Sequence, residues 1–336
     1  STRLPYPSPG HSPPGPLVVR AGPHWKGLNW RPMPSEYRLK SYVTEKYGAG
    51  VMTEDMTIQD YPMTYEELEP HCDRFEKVAG ISGQAGNVNG KIVEGGNPFE
   101  APRSNDYPMP AMPSTWDGVK FRDAAKAAGY HPFPSPGGIA SKDYVNEYNM
   151  QMGPCNHCGF CERYGCYNYS KSSPQTAIID ALKRKKNFEY RVNSEVLRVE
   201  KAEDGKTATG VTYFDHKTGE EVFQPADLVI LTAFALNNVH LMLVSGIGQP
   251  YDPNTNEGVV GRNYAYQITG GYTLFFKDEE FNPFIGTGAN GFCIDDFGID
   301  NIDFAKEGFV GGAYWRAGQT NGQPGHTMPL PAGTPS

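Results

Sequence analysis

The chain reads as an α/β protein whose remainder is an α+β mixture, and three observations predict this. The run Asp227-Leu-Val-Ile-Leu-Thr-Ala233 is continuously apolar apart from its ends, the texture of a strand covered on both faces in a parallel sheet. Leu236 to Val244 follows at helical spacing, so a strand-turn-helix unit is expected. Upstream lie alternating β-forming segments and two amphipathic stretches of helical period. With 336 residues, 38% apolar and 12% aromatic, the chain can bury one large core or two ordinary ones. The balance of 30 basic against 38 acidic side chains, a formal charge of -8, makes a nucleic-acid surface or an anionic membrane a poor fit as main partner. No stretch approaches the roughly 20 apolar residues that span a bilayer, and Ser1 to Arg3 does not open a charged-then-apolar signal. Any export or anchoring is expected from another chain or from further sequence. No internal repeat is visible.

Taken in order, residues 1–34 are dense in proline, as in Pro13-Pro14-Gly15-Pro16, and an irregular arm is expected there. From Tyr65, the positions Leu68, Cys72, Phe75 and Val78 recur at helical spacing and predict an amphipathic helix with that face inward. Residues 95–116 are turn-rich. A second helix is expected over Val119 to Ala128, with Asp117 placed to cap it, Phe121, Ala124, Ala125 and Ala128 on one face, and Gly129 ending it. Lys183 to Lys186 is a basic run favourable at a helix end and otherwise solvated. Tyr190 to Val199, Gly210 to Asp215 and Glu220 to Gln224 alternate, and Asp204-Gly205 and Thr218-Gly219 supply turns, so an antiparallel excursion is expected. Ser245-Gly246-Ile247-Gly248 stops the helix begun at Leu236. Beyond Tyr266, aromatic strand segments mix with Gly-rich loops.

The sharpest chemistry is in the cysteines. Four of six fall at Cys155, Cys158, Cys161 and Cys166, a C-x2-C-x2-C-x4-C string within twelve residues. Thiolates so spaced on one tight loop can converge on iron, as in iron-sulfur sites, and Gly159 and Gly165 supply the backbone freedom for a loop that curls. Zinc is the competing metal, although its structural sites usually join two ligand pairs across a longer insert. Two disulfides are the third reading, over loops short enough to be strained. His157 reads as a solvated neighbour, and the lone Cys72 and Cys293 as small buried hydrophobes. A G-x-G-x-x-G string at Gly286 to Gly291 reads as accidental, because Asn282-Pro283 precedes it and no helix opening follows.

The segment from Asp227 to Gly248, ending in Ser-Gly-Ile-Gly, resembles the strand-turn-helix signature of the glucose-methanol-choline (GMC) oxidoreductases, and Val259-Val-Gly261-Arg-Asn263 is similar to a motif just downstream. His24-Trp25-Lys-Gly27-Leu-Asn-Trp30-Arg31-Pro, Tyr65-Glu-Glu-Leu-Glu-Pro and Arg103-Ser-Asn-Asp-Tyr107-Pro-Met-Pro look like the branch holding gluconate, sorbitol, fructose and glucose dehydrogenases, which carries a cysteine loop near the flavin. The resemblance implies FAD, hydride removal from a CH-OH of a sugar or polyol, and electrons leaving one at a time through an iron-sulfur cluster, 3Fe-4S in relatives, to a cytochrome c subunit, with a small chaperone-like subunit completing a periplasmic, membrane-associated enzyme. It implies that Cys155, Cys158, Cys161 and Cys166 include the cluster ligands, with one a bystander. It places the Val196 backbone at the adenine and Ala233 near the diphosphate, both as strand residues in a core, with His24 and Trp25 at the flavin edge. The expected organisation is an arm and FAD-domain remnant over 1–34, a substrate or cap region over 35–169 ending in the cysteine loop, a partial FAD-binding segment over 170–265, and the start of a mixed substrate sheet over 266–336. The family's Rossmann glycines and catalytic His match nothing here, so no catalytic residue is assigned. Val19-Arg20 stands where relatives usually have Gly-Gly, so the expectation is either that residues 1 to about 20 are not native family sequence or that the chain is an interior fragment, inactive alone.

Overall fold

The computed structural model describes residues 25–53, 56–161, 165–265, 268–272, 274, 276–281 and 285–317. His24 and the arm before it lie outside the described residues. The main elements in chain order are α1 (Leu39–Tyr47), α2 (Tyr65–Ala79), β1 (Ser82–Gly83), β2 (Met109–Pro110), α3 (Trp116–Ala127), β3 (Phe133–Pro134), β4 (Ser194–Lys201), β5 (Ala208–Asp215), β6 (Glu220–Pro225), α4 (Ala235–Val244), β7 (Phe292–Ile294) and β8 (Trp315–Ala317). The chain divides into two compact units, residues 1–188 with 276–336, and residues 189–275.

In the first unit α2 begins at a capping box. Thr64 Oγ1 accepts from the Glu67 amide and Glu67 Oε2 accepts from the Thr64 amide at 2.8 Å, satisfying two otherwise unpaired donors. Gly80, at φ 63°, ends the helix in the left-handed conformation. The helix is where expected, but its inward face is not Leu68, Phe75 and Val78. Tyr65, Glu69, Glu76 and Ala79 are buried, while Phe75 is exposed. The cause is ionic: Arg31 donates to Glu76 through Nε and Nη2 at 2.7 and 2.8 Å and to Glu69 at 3.1 Å, and the fully buried Arg103 pairs with Glu76 and, at 2.9 Å, with Glu100. Two guanidiniums brought in from distant segments make carboxylates the inner residues of the helix.

Helix α3 starts three residues before Val119, with Thr115 at the N-cap and Asp117 in the first turn. Extending it seats Trp116, whose Nε1 donates to Glu279 at 3.2 Å while Lys120 lies over its ring. Strands β3, β7 and β8 form a three-stranded antiparallel sheet with β7 central, and β1 pairs parallel with β2. The apolar core is divided among Val43 with Ile299, Met109 with Ala140 and Met152, and Met112 with Ile139 and Ala289. Cys293 is completely buried in β7, as expected, and Cys72 is half-buried on α2.

The second unit holds the expected antiparallel excursion: β4, β5 and β6 form a sheet in the order β6-β5-β4. Gly205 and Gly219 turn the chain at φ 66° and 78°, and Asp204 Oδ1 accepts from the amides of Lys206 and Thr207. A register shift between Val196 and Arg198 makes a bulge at Leu197. Helix α4 is anchored at its end: Ser245 Oγ accepts from the buried Val199 amide at 2.9 Å and donates to the Leu241 carbonyl at 2.6 Å. That is what the Ser of Ser-Gly-Ile-Gly does here, and Gly246 and Gly248, at φ 59° and 72°, then reverse the chain as expected. The expectation that fails is the strand over 227–233. The segment pairs with no strand among the described residues, and Leu228 and Ile230 are 75% and 73% exposed. A ladder needs a neighbour, and β4, β5 and β6 pair only among themselves.

Candidate functional site

The cysteine loop is an excursion from one extended segment of the first unit, Gly137 to Ser141. Its two ends meet at the same residue: the Cys155 amide donates to the Ala140 carbonyl at 2.9 Å, and the Ala140 amide donates to the Ser170 carbonyl at 2.8 Å. Asn168 closes the base by donating through Nδ2 to the Pro154 carbonyl at 2.7 Å. Gly138 donates to Gly27 on one side and accepts from Ser172 on the other, so the segment carries the Trp25 stretch and the end of the loop together. There is no room for a side chain at Gly138, where a Cβ would stand 2.5 Å from the Trp25 ring. The loop curls through left-handed residues, at His157 (φ 56°) and Gly159 (φ 78°). A tight turn falls at His157, which is half-buried rather than solvated.

The tip of the loop docks on Gly286 to Gly291. Gly159 donates to the Gly286 carbonyl and Gly286 donates to the His157 carbonyl, both at 3.1 Å. Gly288 lies so close to the Lys26 carbonyl that a Cβ would stand 1.8 Å from the oxygen, and Ala289 is completely buried. In the G-x-G-x-x-G string Gly288 therefore serves packing, admitting neighbouring backbone. Strand β7, not a helix, follows it.

None of the six cysteines is joined in a disulfide. Burial pushes the Cys155 thiol up to about 12; the amide of His157, directed at its Sγ from 3.3 Å, works against this, and the neighbouring Cys161, Cys158 and Cys166 add to it. Burial also raises Cys161. Among the described residues no three His, Cys, Asp or Glu side chains are gathered as a metal-holding group. Four thiols nonetheless lie on one loop, with Cys161, Cys158 and Cys166 acting on Cys155 electrostatically and a backbone amide aimed at the Cys155 sulfur.

One neighbour carries no signal in the sequence. Lys171 is 1% exposed, and its Nζ donates to the Cys161 carbonyl at 2.7 Å and the Trp25 carbonyl at 3.1 Å. Burial lowers its affinity for the proton, and the thiols of Cys161, Cys166 and Cys158 act in the opposite sense. A lone lysine between two serines reads as solvated, so only the fold reveals it.

The residues expected at FAD are placed as follows. Trp25 is half-buried and donates through Nε1 to the Leu28 carbonyl at 3.0 Å. In the second unit Val196 lies on β4 just before the bulge and is 44% exposed, and Ala233 is exposed in the turn before α4. Neither is a core residue, as was expected of both. The turn suits an anionic group: it precedes a ten-residue helix with no acidic residue in its first turn, and Asn238 braces it, accepting from the Ala233 amide at 2.8 Å. Phe234 has φ 79° and ψ 149°, a conformation otherwise reserved for glycine.

Residues 138–269, which include the whole cysteine loop and α4, match the GMC oxidoreductase family. The chain is 49% identical over 339 aligned residues to the gluconate 2-dehydrogenase flavoprotein of Pantoea cypripedii, covering 100% of this chain and 55% of that protein. It is 25% identical to the fructose dehydrogenase large subunit of Gluconobacter japonicus over 71% of this chain and 39% of the relative. With the 2-methyl-1,2-propanediol dehydrogenase of Mycolicibacterium austroafricanum the identity is 29%, over 62% of this chain and 35% of the relative. The chain thus spans about half, or less, of the length of these curated relatives. A loop, a helix and its Ser-Gly-Ile-Gly stop that fall inside the matched region, joined to half-identity along the whole sequence, place the chain in the GMC oxidoreductase family.

Proposed function

We propose that this chain is part of an FAD-dependent dehydrogenase that oxidises a CH-OH group of a sugar, polyol or sugar acid, with a gluconate-like acid the first substrate class to try. The observation that carries this reading is 49% identity, extending over the entire chain, to a protein named gluconate 2-dehydrogenase flavoprotein. The names of the relatives, a flavoprotein and a large subunit, support further subunits as partners, and the reading includes a cytochrome-type acceptor, a small companion subunit and a periplasmic setting. The same reading puts membrane association on those partners. No helix among the described residues is long and apolar enough to cross a membrane.

When bound, FAD supplies acceptance of a hydride from the carbinol carbon, and a thiolate-held cluster supplies one-electron transfer onward. The chain's own residues do the holding. The exposed turn at Ala233, braced by Asn238, offers the α4 amides to the diphosphate, and the Val196 backbone beside the bulge offers the adenine an edge. His24 and Trp25 are assigned to the flavin edge. Cys155, Cys158, Cys161 and Cys166 hold the cluster, 3Fe-4S if three suffice, and the docking of the loop tip on Gly286 keeps its turn in place.

Anaerobic addition of gluconate to the full-length, FAD-loaded protein tests the reading. Loss of the oxidised-flavin absorbance within the mixing time of a hand-held experiment is expected, with simple primary alcohols at the same concentration leaving it intact. Flavin that stays oxidised with gluconate, fructose, sorbitol and glucose alike would overturn it.

A further inference from the structure

A fully buried ammonium demands explanation, because desolvating a cation costs several kcal/mol unless oxygen ligands or negative charge offset it. Lys171 has its Nζ on two main-chain carbonyls that belong to different stretches of the chain, Cys161 in the cysteine loop at 2.7 Å and Trp25 at 3.1 Å. The lysine is also anchored at its own backbone, where residue 171 bridges to Ile139, itself completely buried in the segment from which the loop departs. Its charge is thus fixed in position relative to the loop and held away from water, where the field of a charge is weakly screened.

We propose that Lys171 is a positioning residue of the cysteine loop: it clamps the Cys161 turn to the Trp25 stretch and stands as the fixed countercharge of the iron-sulfur cluster the loop carries. The proposal rests on the reading that the loop binds such a cluster. Thiolates and cluster together are negative, and reduction adds one electron and one further unit of negative charge. A stationary cation nearby stabilises the reduced form more than the oxidised form. Lys171 therefore raises the reduction potential of the cluster and favours its receiving an electron.

The test is an EPR-monitored redox titration of the full-length holoprotein and three variants, with iron and sulfide measured on each. Lys171→Gln keeps a hydrogen-bond donor and removes the charge. It is expected to retain iron and to shift the oxidised-to-reduced equilibrium at least tenfold toward the oxidised form, 59 mV lower for a one-electron couple. Lys171→Met removes clamp and charge, and is expected to lose cluster content severalfold. Lys171→Arg keeps both, and is expected to return the potential toward that of the unsubstituted protein. A Gln variant with full iron content and an unshifted potential overturns the countercharge, and so does an Arg variant whose potential falls as far as that of Gln. A Met variant with undiminished iron overturns the clamp. Absence of iron and sulfide from the unsubstituted protein overturns the cluster reading itself, and Lys171 with it, an outcome separate from the others.

Discussion

At the scale of single residues, buried charge sets the energetics. Arg103 has no exposed side-chain surface, lies 3.8 Å above the Tyr107 ring and joins Glu76 and Glu100. Removing one partner of such a group leaves the other charges buried and unpaired, so Arg103→Met is expected to cost about 3–5 kcal/mol in a denaturant titration, whereas Arg74→Met, in an exposed pair, is expected to leave the midpoint nearly unchanged. Asp295 shows the opposite economy. Burial, then the nearby carboxylates Glu36, Asp296 and Asp300, push its carboxyl up to about 6, although Asn97 donates to it at 2.9 Å. Since its folded pKa lies above the unfolded value, the folded protein binds the extra proton between roughly pH 4 and 6, and stability falls as pH rises through that window. Asp295→Asn is expected to flatten this slope and to gain about 2 kcal/mol at pH 7.5 but nothing at pH 4. Chemical denaturation at the two pH values measures it. Little of this was legible in the sequence. The period of α2 was plain, but its inner face depends on Arg31 and Arg103, and nothing local tells Glu76 from a solvated glutamate.

At the scale of elements, what was legible is what local chemistry decides. Asp204-Gly205 and Thr218-Gly219 turn the sheet of β4, β5 and β6, and Ser245-Gly246 stops α4. The run over 227–233 was misread because a parallel strand is defined by partners, and sequence shows only that its side chains suit one. The turn that follows carries the cost of its shape. Phe234 occupies a glycine-like conformation with a side chain 62% exposed, so it loses backbone energy and recovers little by packing. Phe234→Gly is expected to stabilise the protein by about 1 kcal/mol in a thermal or urea melt. A destabilised variant would mean that the Phe234 ring contributes contacts that outweigh the strain.

At the scale of the whole molecule, the cysteine loop joins the sequence to the chemistry. The family signature at the end of α4 announced a flavoprotein, because such a motif compresses its meaning into a few residues. What surrounds the loop was illegible: Gly288 and Ala289, packed against Cys161, come from a segment that only the fold brings there, and nothing local marks Asn168 as closing the loop or Lys171 as buried against it. The central claim is that this loop carries electrons for a flavin dehydrogenase. It is tested most directly by anaerobic purification of the full-length protein followed by flavin, iron and sulfide analysis and an EPR spectrum. The account predicts FAD together with iron, sulfide and a cluster signal. Stoichiometric zinc without iron, or no metal on the loop at all, would contradict it.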